Sequence, residues 1–82
     1  MAKQINVSKK DPRLLFGSNL AKLRKEIGIS QEQLALESGI ARSYLGGVER
    51  GQRNIAIINI CKLAEALKLD PSELLKFNSD KL

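Results

Sequence analysis

The sequence predicts an all-α domain built from five short helices. Apolar residues recur at steps of three and four along most of the 82-residue chain, and no stretch shows the alternation of a strand. Residues that favour helix N-termini precede several of these runs, and three runs end close to a glycine. No repeat or low-complexity tract interrupts the pattern. One compact helical domain is therefore expected.

The first helix has a clear start and a clear end. Asp11-Pro12 is an N-cap followed by proline at the first helical position, which suits a residue without a backbone N–H. Gly28 suits the left-handed position that follows a last turn. Between them the apolar residues keep helical spacing: Leu15, Phe16, Leu20, Leu23 and Ile27.

The second and third helices are short and closely spaced. Ser30-Gln31-Glu32-Gln33 is a capping box that opens the second helix. This helix turns Leu34 and Ala35 inward and stops near Ser38-Gly39. The third helix runs from about Arg42 to Arg50, just before a glycine.

The fourth and fifth helices complete the domain. The fourth spans roughly residues 56–68 and is expected to bury one face, made of Ile57, Ile60, Cys61, Ala64 and Leu67. Asp70-Pro71-Ser72-Glu73 is a second strong start signal, with a cap, proline at the first position and Glu at the third. It opens a final turn or two that carries Leu74, Leu75 and Phe77.

Composition excludes several classes of function. The chain has no histidine and one cysteine, Cys61, which rules out a Ser-His or Cys-His nucleophile pair, a Cys/His zinc site and an internal disulfide. Cys61 is expected to be a small buried hydrophobe rather than a redox sensor. No apolar run is long enough to span a membrane, and the N-terminus has no signal-peptide core. We therefore expect a soluble, cytoplasmic domain that is not an enzyme and needs no cofactor or metal.

The positive charge lies at one end of the chain. The formal net charge is +5, and residues 1–28 hold seven cations against two carboxylates while the rest of the chain is balanced. We expect a folded domain over residues 11–78, a flexible basic N-terminus over 1–10 and a flexible C-terminus over 79–82. The basic segment is either an arm that lies along nucleic acid or a merely solvated end.

Two short helices joined by a glycine-centred turn predict a helix-turn-helix between Ser30 and Arg50. On a helical wheel the third helix places Leu45 and Val48 on one face, with Tyr44 at its edge. The opposite face carries only arginine, serine and glycine. Such a helix is anchored on one side and free to enter the major groove of DNA on the other.

The stretch LRKEIGISQEQLALESGIARSYLGGVERGQRN resembles the Cro/C1-type (XRE-like) helix-turn-helix family, and the resemblance extends from about Leu20 to Leu75. Its motifs Ser-Gln-Glu-x-Leu-Ala, Ser-Gly-Ile and Val-Glu-Arg-Gly fall at family positions. The resemblance implies a compact, five-helix, lambda-repressor-like DNA-binding domain. It also implies a structural salt bridge between Arg24 and Glu49, a phosphate contact from Gln31, and base or backbone contacts from Arg42 and Ser43. Within the family, RSYLGGVERGQRN is similar to the controller proteins of restriction–modification systems.

Residue chemistry predicts which side chains meet DNA. Arginine forks match guanine edges, so base contacts are expected from Arg42, Ser43 and Arg50; for Arg42 the alternative is an exposed side chain that touches only phosphate. Contacts to the DNA backbone are expected from Gln31, Tyr44, Gly46, Gly47, Arg53 and Asn54. The alternative for Tyr44 is a place at the edge of the core. Each of the two glycines costs about 1 kcal/mol relative to Ala in a helix, and they allow either close approach to DNA or tight packing against a neighbouring helix.

The chain is expected to act as a homodimer, because one reading helix touches too few base pairs for discrimination in a genome. The candidate interface is the apolar end of the chain: Leu69, Leu74, Leu75 and Phe77. The alternative is that these residues only cap the core.

The sequence therefore predicts a DNA-binding transcriptional regulator that acts on a palindromic operator in double-stranded DNA and associates with the nucleoid. The resemblance implies that a controller would activate its own operon at low occupancy and repress it at high occupancy. No membrane contact and no small-molecule effector are expected. The alternative is an antitoxin-like or adaptor module whose basic surface meets an acidic protein.

Overall fold

A computed structural model describes residues 11–77, and within that range it contains helices and no strands. The helices are α1 (Pro12–Ile27), α2 (Gln31–Ser38), α3 (Arg42–Glu49), α4 (Ile57–Leu67) and α5 (Pro71–Leu74). The predicted all-α class is confirmed, and α1 to α4 begin and end within about one residue of the expected positions. The N-terminal segment 1–10 and the C-terminal segment 79–82 lie outside the described residues.

Side-chain caps start three of the helices. The side chains of Asp11, Ser30 and Asp70 accept hydrogen bonds from backbone N–H groups in the first turns of α1, α2 and α5, at 2.9, 3.0 and 2.9 Å. The backbone hydrogen bond from Ser72 lowers the pKa of the Asp70 carboxyl, because it favours the ionised form. These caps satisfy donors that have no partner inside the helix.

The helix ends use the left-handed conformation. Gly28 after α1 and Gly39 after α2 have φ values of 89° and 75°. Lys68 occupies the equivalent position after α4 with φ 60°, where an L-residue is disfavoured. Local sequence therefore explains why α1 and α2 stop where they do, whereas α4 stops at a residue that carries a backbone penalty.

The core lies where α3 packs against α1 and α2, α4 packs against α2 and α5, and α5 returns to α1. Its largest fully buried side chains come from all five helices: Leu20, Leu34, Leu45, Val48, Leu63 and Leu74. The Asn19 side-chain amide donates to the backbone carbonyls of Glu73 and Leu74, at 3.1 and 3.0 Å, and so joins α1 to α5. Packing in this core fixes the orientation of α2 and α3 relative to the other helices.

Gly17 marks the closest approach between α1 and α3. A Cβ atom at Gly17 would lie 2.7 Å from the carbonyl oxygen of Glu49 and closer still to that of Val48. Because these are backbone atoms of α3, neither helix has room for a side chain at the crossing point. Gly17 thus sets the distance between the first helix and the end of α3.

Two residues of α4 were predicted to be buried and are exposed. Ile57 has 63% of its surface exposed, and Cys61 is also exposed. The buried stripe consists of Ile60, Leu63, Ala64 and Leu67, and Cys61 lies about 100° around the helix from Ile60. The prediction was wrong because α2 and α5 cover a different strip of α4 from the one that spacing suggested.

None of the helices between residues 11 and 77 is long and apolar enough to cross a membrane. Within the same range, no three His, Cys, Asp or Glu side chains lie together in a way that could hold a metal ion.

Candidate nucleic-acid interface

The α2–α3 pair forms the predicted helix-turn-helix. Gly39 turns the chain in the left-handed conformation, and Ile40 is buried beneath the turn. On α3, Leu45 and Val48 are buried and Tyr44 is half-buried against the core. The predicted apolar face of this helix is therefore confirmed, and packing fixes its orientation on the domain.

The N-terminal end of α3 projects from the domain. Ala41, Arg42 and Ser43 are all exposed. Within the described residues, the ion pairs do not involve Arg42. Its guanidinium group is consequently available to an external partner, on a helix whose other side is anchored.

The two glycines of α3 are not open to solvent as the helical wheel predicted; both Gly46 and Gly47 are buried. A Cβ atom at Gly46 would lie 3.1 Å from Nη1 of Arg50, and one at Gly47 would lie 3.0 Å from Cγ of Arg53. The wheel ignored these long side chains, which fold back over the helix and cover it. The prediction of a bare face was wrong for this segment.

Both covering arginines are themselves exposed and are oriented by local contacts. The guanidinium carbon of Arg53 lies 5.5 Å from the centroid of the Tyr44 ring, within cation–π range. Nε of Arg50 donates to the side-chain oxygen of Gln52 at 3.2 Å. Asn54, the next predicted contact, is exposed in the loop after α3.

A hydrogen-bonded network joins α3 to α1 and to the loop that follows α1. Arg24 of α1 donates to both carboxylate oxygens of Glu49, from Nε at 2.7 Å and from Nη2 at 3.0 Å. Its Nη1 donates to the carbonyl of Ile29 at 3.0 Å. The hydrogen bond to Glu49 raises the pKa of the Arg24 guanidinium, since it stabilises the charged form. The pair is largely buried, with side chains 10% and 7% exposed.

Comparison with known proteins agrees with this geometry. A helix-turn-helix family model matches residues 20–74, which are two thirds of the chain and include all of α2, α3, α4 and α5. The chain belongs to the Cro/C1-type (XRE-like) helix-turn-helix family. It is accordingly a helix-turn-helix transcriptional regulator.

Named relatives of this regulator include restriction–modification proteins. Control protein C.BamHI of Bacillus amyloliquefaciens is 41% identical over 68 residues, which cover 82% of this chain and 84% of that protein. The restriction–modification controller protein C.AhdI from Aeromonas hydrophila superposes with a TM-score of 0.74 at 56% identity, over 76% of this chain and 94% of that one. SinR, a master regulator of biofilm formation solved in complex with DNA, superposes with a TM-score of 0.71 at 34% identity, over 74% and 98% of the two chains.

In this helix-turn-helix regulator, Gln31 is already engaged within the protein. Its amide donates to Oε1 of Glu49 at 2.9 Å, from the first turn of α2, and the residue is half-buried. A primary amide has two N–H donors, so one remains for the phosphate that the family resemblance implies. Sequence reasoning did not find this link between Gln31 and Glu49.

One of the residues predicted for a dimer interface is buried within its own chain and cannot belong to that interface. Leu74 is 0% exposed and belongs to the core of its own chain, which corrects that assignment. Leu69 and Phe77 are half-buried, whereas Leu75 is 47% exposed. The apolar spacing predicts that Ile57 is buried and makes no prediction for Ile58. Both residues are more exposed than Leu75. The short α5 buries Leu74 because it packs between α1 and α4.

Proposed function

We propose that this regulator binds a palindromic operator in double-stranded DNA as a homodimer and reads it with α3. The observation that carries the proposal is the exposed pair Arg42 and Ser43 at the N-terminal end of a helix whose other face is buried. Helix-turn-helix proteins read base edges from that end of the second helix. Arg42 is assigned the guanine contact and Ser43 a weaker one.

The charge distribution around α3 supports a nucleic-acid partner. The only carboxylate of α3, Glu49, is turned inward and paired with Arg24. The charged side chains left on its outer side are Arg42, Arg50 and, from the following loop, Arg53. A DNA phosphate backbone that approached this side of α3 would meet these cations and no exposed carboxylate of α3.

The contacts to the DNA backbone are proposed to come from residues beside α3. Gln31 lies at the start of α2, where free backbone N–H groups also favour an anion. Arg53 and Asn54 follow α3 in the chain, and the Arg53 guanidinium lies over Tyr44 in the first turn of that helix. Contacts between these residues and the DNA backbone would position α3 in the groove.

The kinship with control proteins supports a regulator of a restriction–modification operon. Such a controller would activate its own operon at low occupancy and repress it at high occupancy. Two copies are required because adjacent half-sites lie about 34–36 Å apart, beyond the reach of one helix. Binding to chromosomal operators would place the protein on the nucleoid.

The decisive experiment is selection of bound sites from a randomised duplex pool, followed by titration of the selected site at several salt concentrations. We expect a palindromic consensus and an affinity that falls steeply as salt rises, because phosphate contacts release counterions. An adaptor that binds only acidic proteins would select no consensus, and that result would reject the proposal.

Variants assign the roles of individual residues. Arg42→Ala should reduce discrimination at one base pair by about 1–3 kcal/mol, whereas Gln31→Ala should weaken binding to all sequences alike. Lys68→Ala also removes one positive charge, as Arg42→Ala does, but from the end of α4. It serves as the control for a loss of charge away from α3. If Arg42→Ala and Gln31→Ala lower affinity uniformly across sequences, Arg42 does not read bases.

A further inference from the structure

We infer that Gly46 and Gly47 are positioning residues: because neither has a side chain, Arg50 and Arg53 can lie against the outer face of α3, where they contact DNA. The inference rests on the proposed DNA binding. It replaces the expectation that the two glycines touch DNA themselves with a role exerted through their arginine neighbours.

The space above Gly46 is occupied by the Arg50 side chain. Nη1 of Arg50 lies 3.1 Å and its Cζ lies 3.9 Å from the place where a Cβ would be. Arg50 follows Gly46 by four residues, and side chains on a helix lean back toward the preceding turn. The amide oxygen of Gln31 lies 3.5 Å from the same point. Two proposed DNA contacts therefore converge where Gly46 has no side chain.

The space above Gly47 is occupied by Arg53. Its Cγ and Nε lie 3.0 and 3.3 Å from the position of a Cβ. The chain reverses after α3 at Gly51, which has φ 77°, and the N–H of Gln52 donates to the carbonyl of Gly47 at 2.8 Å. This turn carries Arg53 back along the helix until its guanidinium lies over Tyr44.

These neighbours differ from those of a packing glycine. At Gly17 a Cβ would meet backbone atoms of another helix, whereas at Gly46 and Gly47 it would meet flexible side chains that extend to the surface. Adjacent glycines weaken a helix, so a compensating role is needed. The space above the glycines lets Arg50 and Arg53 make their contacts with Gln52 and Tyr44 on the outer side of α3. Side chains already ordered in this way lose less rotamer freedom on binding.

A double-mutant cycle on the full chain tests the inference with the duplex selected above. Gly46→Ala should weaken operator binding roughly three- to tenfold, the scale of one ordinary hydrogen bond, because the displaced arginine can partly readjust. The melting temperature should stay level or rise, because Ala is the better helix former. In an Arg50→Ala background the effect of Gly46→Ala on affinity should disappear.

Arg53 supplies the matched control. Gly46→Ala should keep its effect in an Arg53→Ala background, and Gly47→Ala should lose its effect there and keep it with Arg50→Ala. If the loss from Gly46→Ala persists without the Arg50 side chain, Gly46 does not act through Arg50 and the inference is wrong. An unchanged affinity for Gly46→Ala also overturns it.

A measurement on the free protein separates this inference from the proposed function. The NMR signals of the Arg50 and Arg53 Nε–H groups should each shift most in the variant of the glycine beneath them. If the protein binds no duplex while these shifts occur, DNA binding is wrong and the positioning contact stands. If the shifts do not follow this pairing, the contact itself is absent.

Discussion

Glycine has three different roles in this chain, and only one of them is visible from neighbouring residues. Gly28 and Gly39 adopt the left-handed conformation that ends a helix, which capping patterns predict. Gly17 allows two backbones to meet, and Gly46 and Gly47 lie beneath arginines. A glycine inside a helical pattern is a signal of close approach, but that signal does not identify the neighbour.

Replacement of Gly17 by alanine should destabilise the domain by roughly 3 kcal/mol, because the new methyl group meets backbone carbonyls that have no flexible end to move. The free energy of unfolding in urea measures this loss. Ser18→Ala, at the next and exposed position of α1, is the control and should change stability by less than about 0.5 kcal/mol. Equal stability of the two variants would show that α1 and α3 separate at little cost.

Helix ends are the elements that local sequence predicts best here. The Asp11, Ser30 and Asp70 caps hydrogen-bond within three residues along the chain, so the signal and its structural effect share one short segment. The buried face of α4, in contrast, is not determined by local sequence. Ile57 and Cys61 fit an apolar stripe as well as Leu63 and Leu67 do, and only the positions of α2 and α5 decide which stripe is covered.

The end of α4 offers a stabilising substitution. Lys68→Gly should raise stability by about 1 kcal/mol, because Lys68 has φ 60° and glycine adopts this conformation without a steric penalty. Lys62→Gly, at an exposed position inside the same helix, should lower stability by about 1 kcal/mol and controls for the loss of a lysine. Thermal unfolding distinguishes the two. A loss of stability in both variants would refute the assignment of strain to Lys68.

At the scale of the whole molecule, the network of Arg24, Glu49 and Gln31 joins α3 to α1 and α2. Arg24→Leu should cost about 3–5 kcal/mol, because it leaves the buried Glu49 carboxylate without its cation. The double variant Arg24→Leu/Glu49→Leu should recover most of that loss, since two apolar side chains need no partner. Chemical denaturation of the two variants provides the comparison. If the single variant costs less than about 1 kcal/mol, the pair behaves as a surface ion pair.

The proposed homodimer requires a second surface besides α3. A groove of about 160 Å³ lies between α1, the beginning of α4 and the residues that follow α5. Its lining includes Phe16, Ile60, Leu75 and Phe77. Ile58 lies on the first turn of α4 and is 66% exposed. We expect Leu75→Lys and Ile58→Lys to shift the protein toward the monomer in sedimentation experiments, because each places a charge on an apolar contact.

The control for the dimer prediction is Leu36→Lys on α2. Leu36 is 76% exposed, so its replacement removes a comparable apolar side chain from a different face. It should leave the dimer intact. If Ile58→Lys and Leu75→Lys remain dimeric while Leu36→Lys dissociates, the subunits meet through α2 instead.

The sequence by itself determined the helical class, most helix boundaries, the apolar face of α3 and membership of the helix-turn-helix family. Each of these depends on capping, glycine placement or spacing within a few residues, because residues that are close in sequence are always close in space. The tertiary structure decided the rest: the exposure of Cys61, the burial of Leu74, the crossing at Gly17 and the arginines over α3. Burial is a property of two surfaces, and the second surface comes from residues far away in the chain.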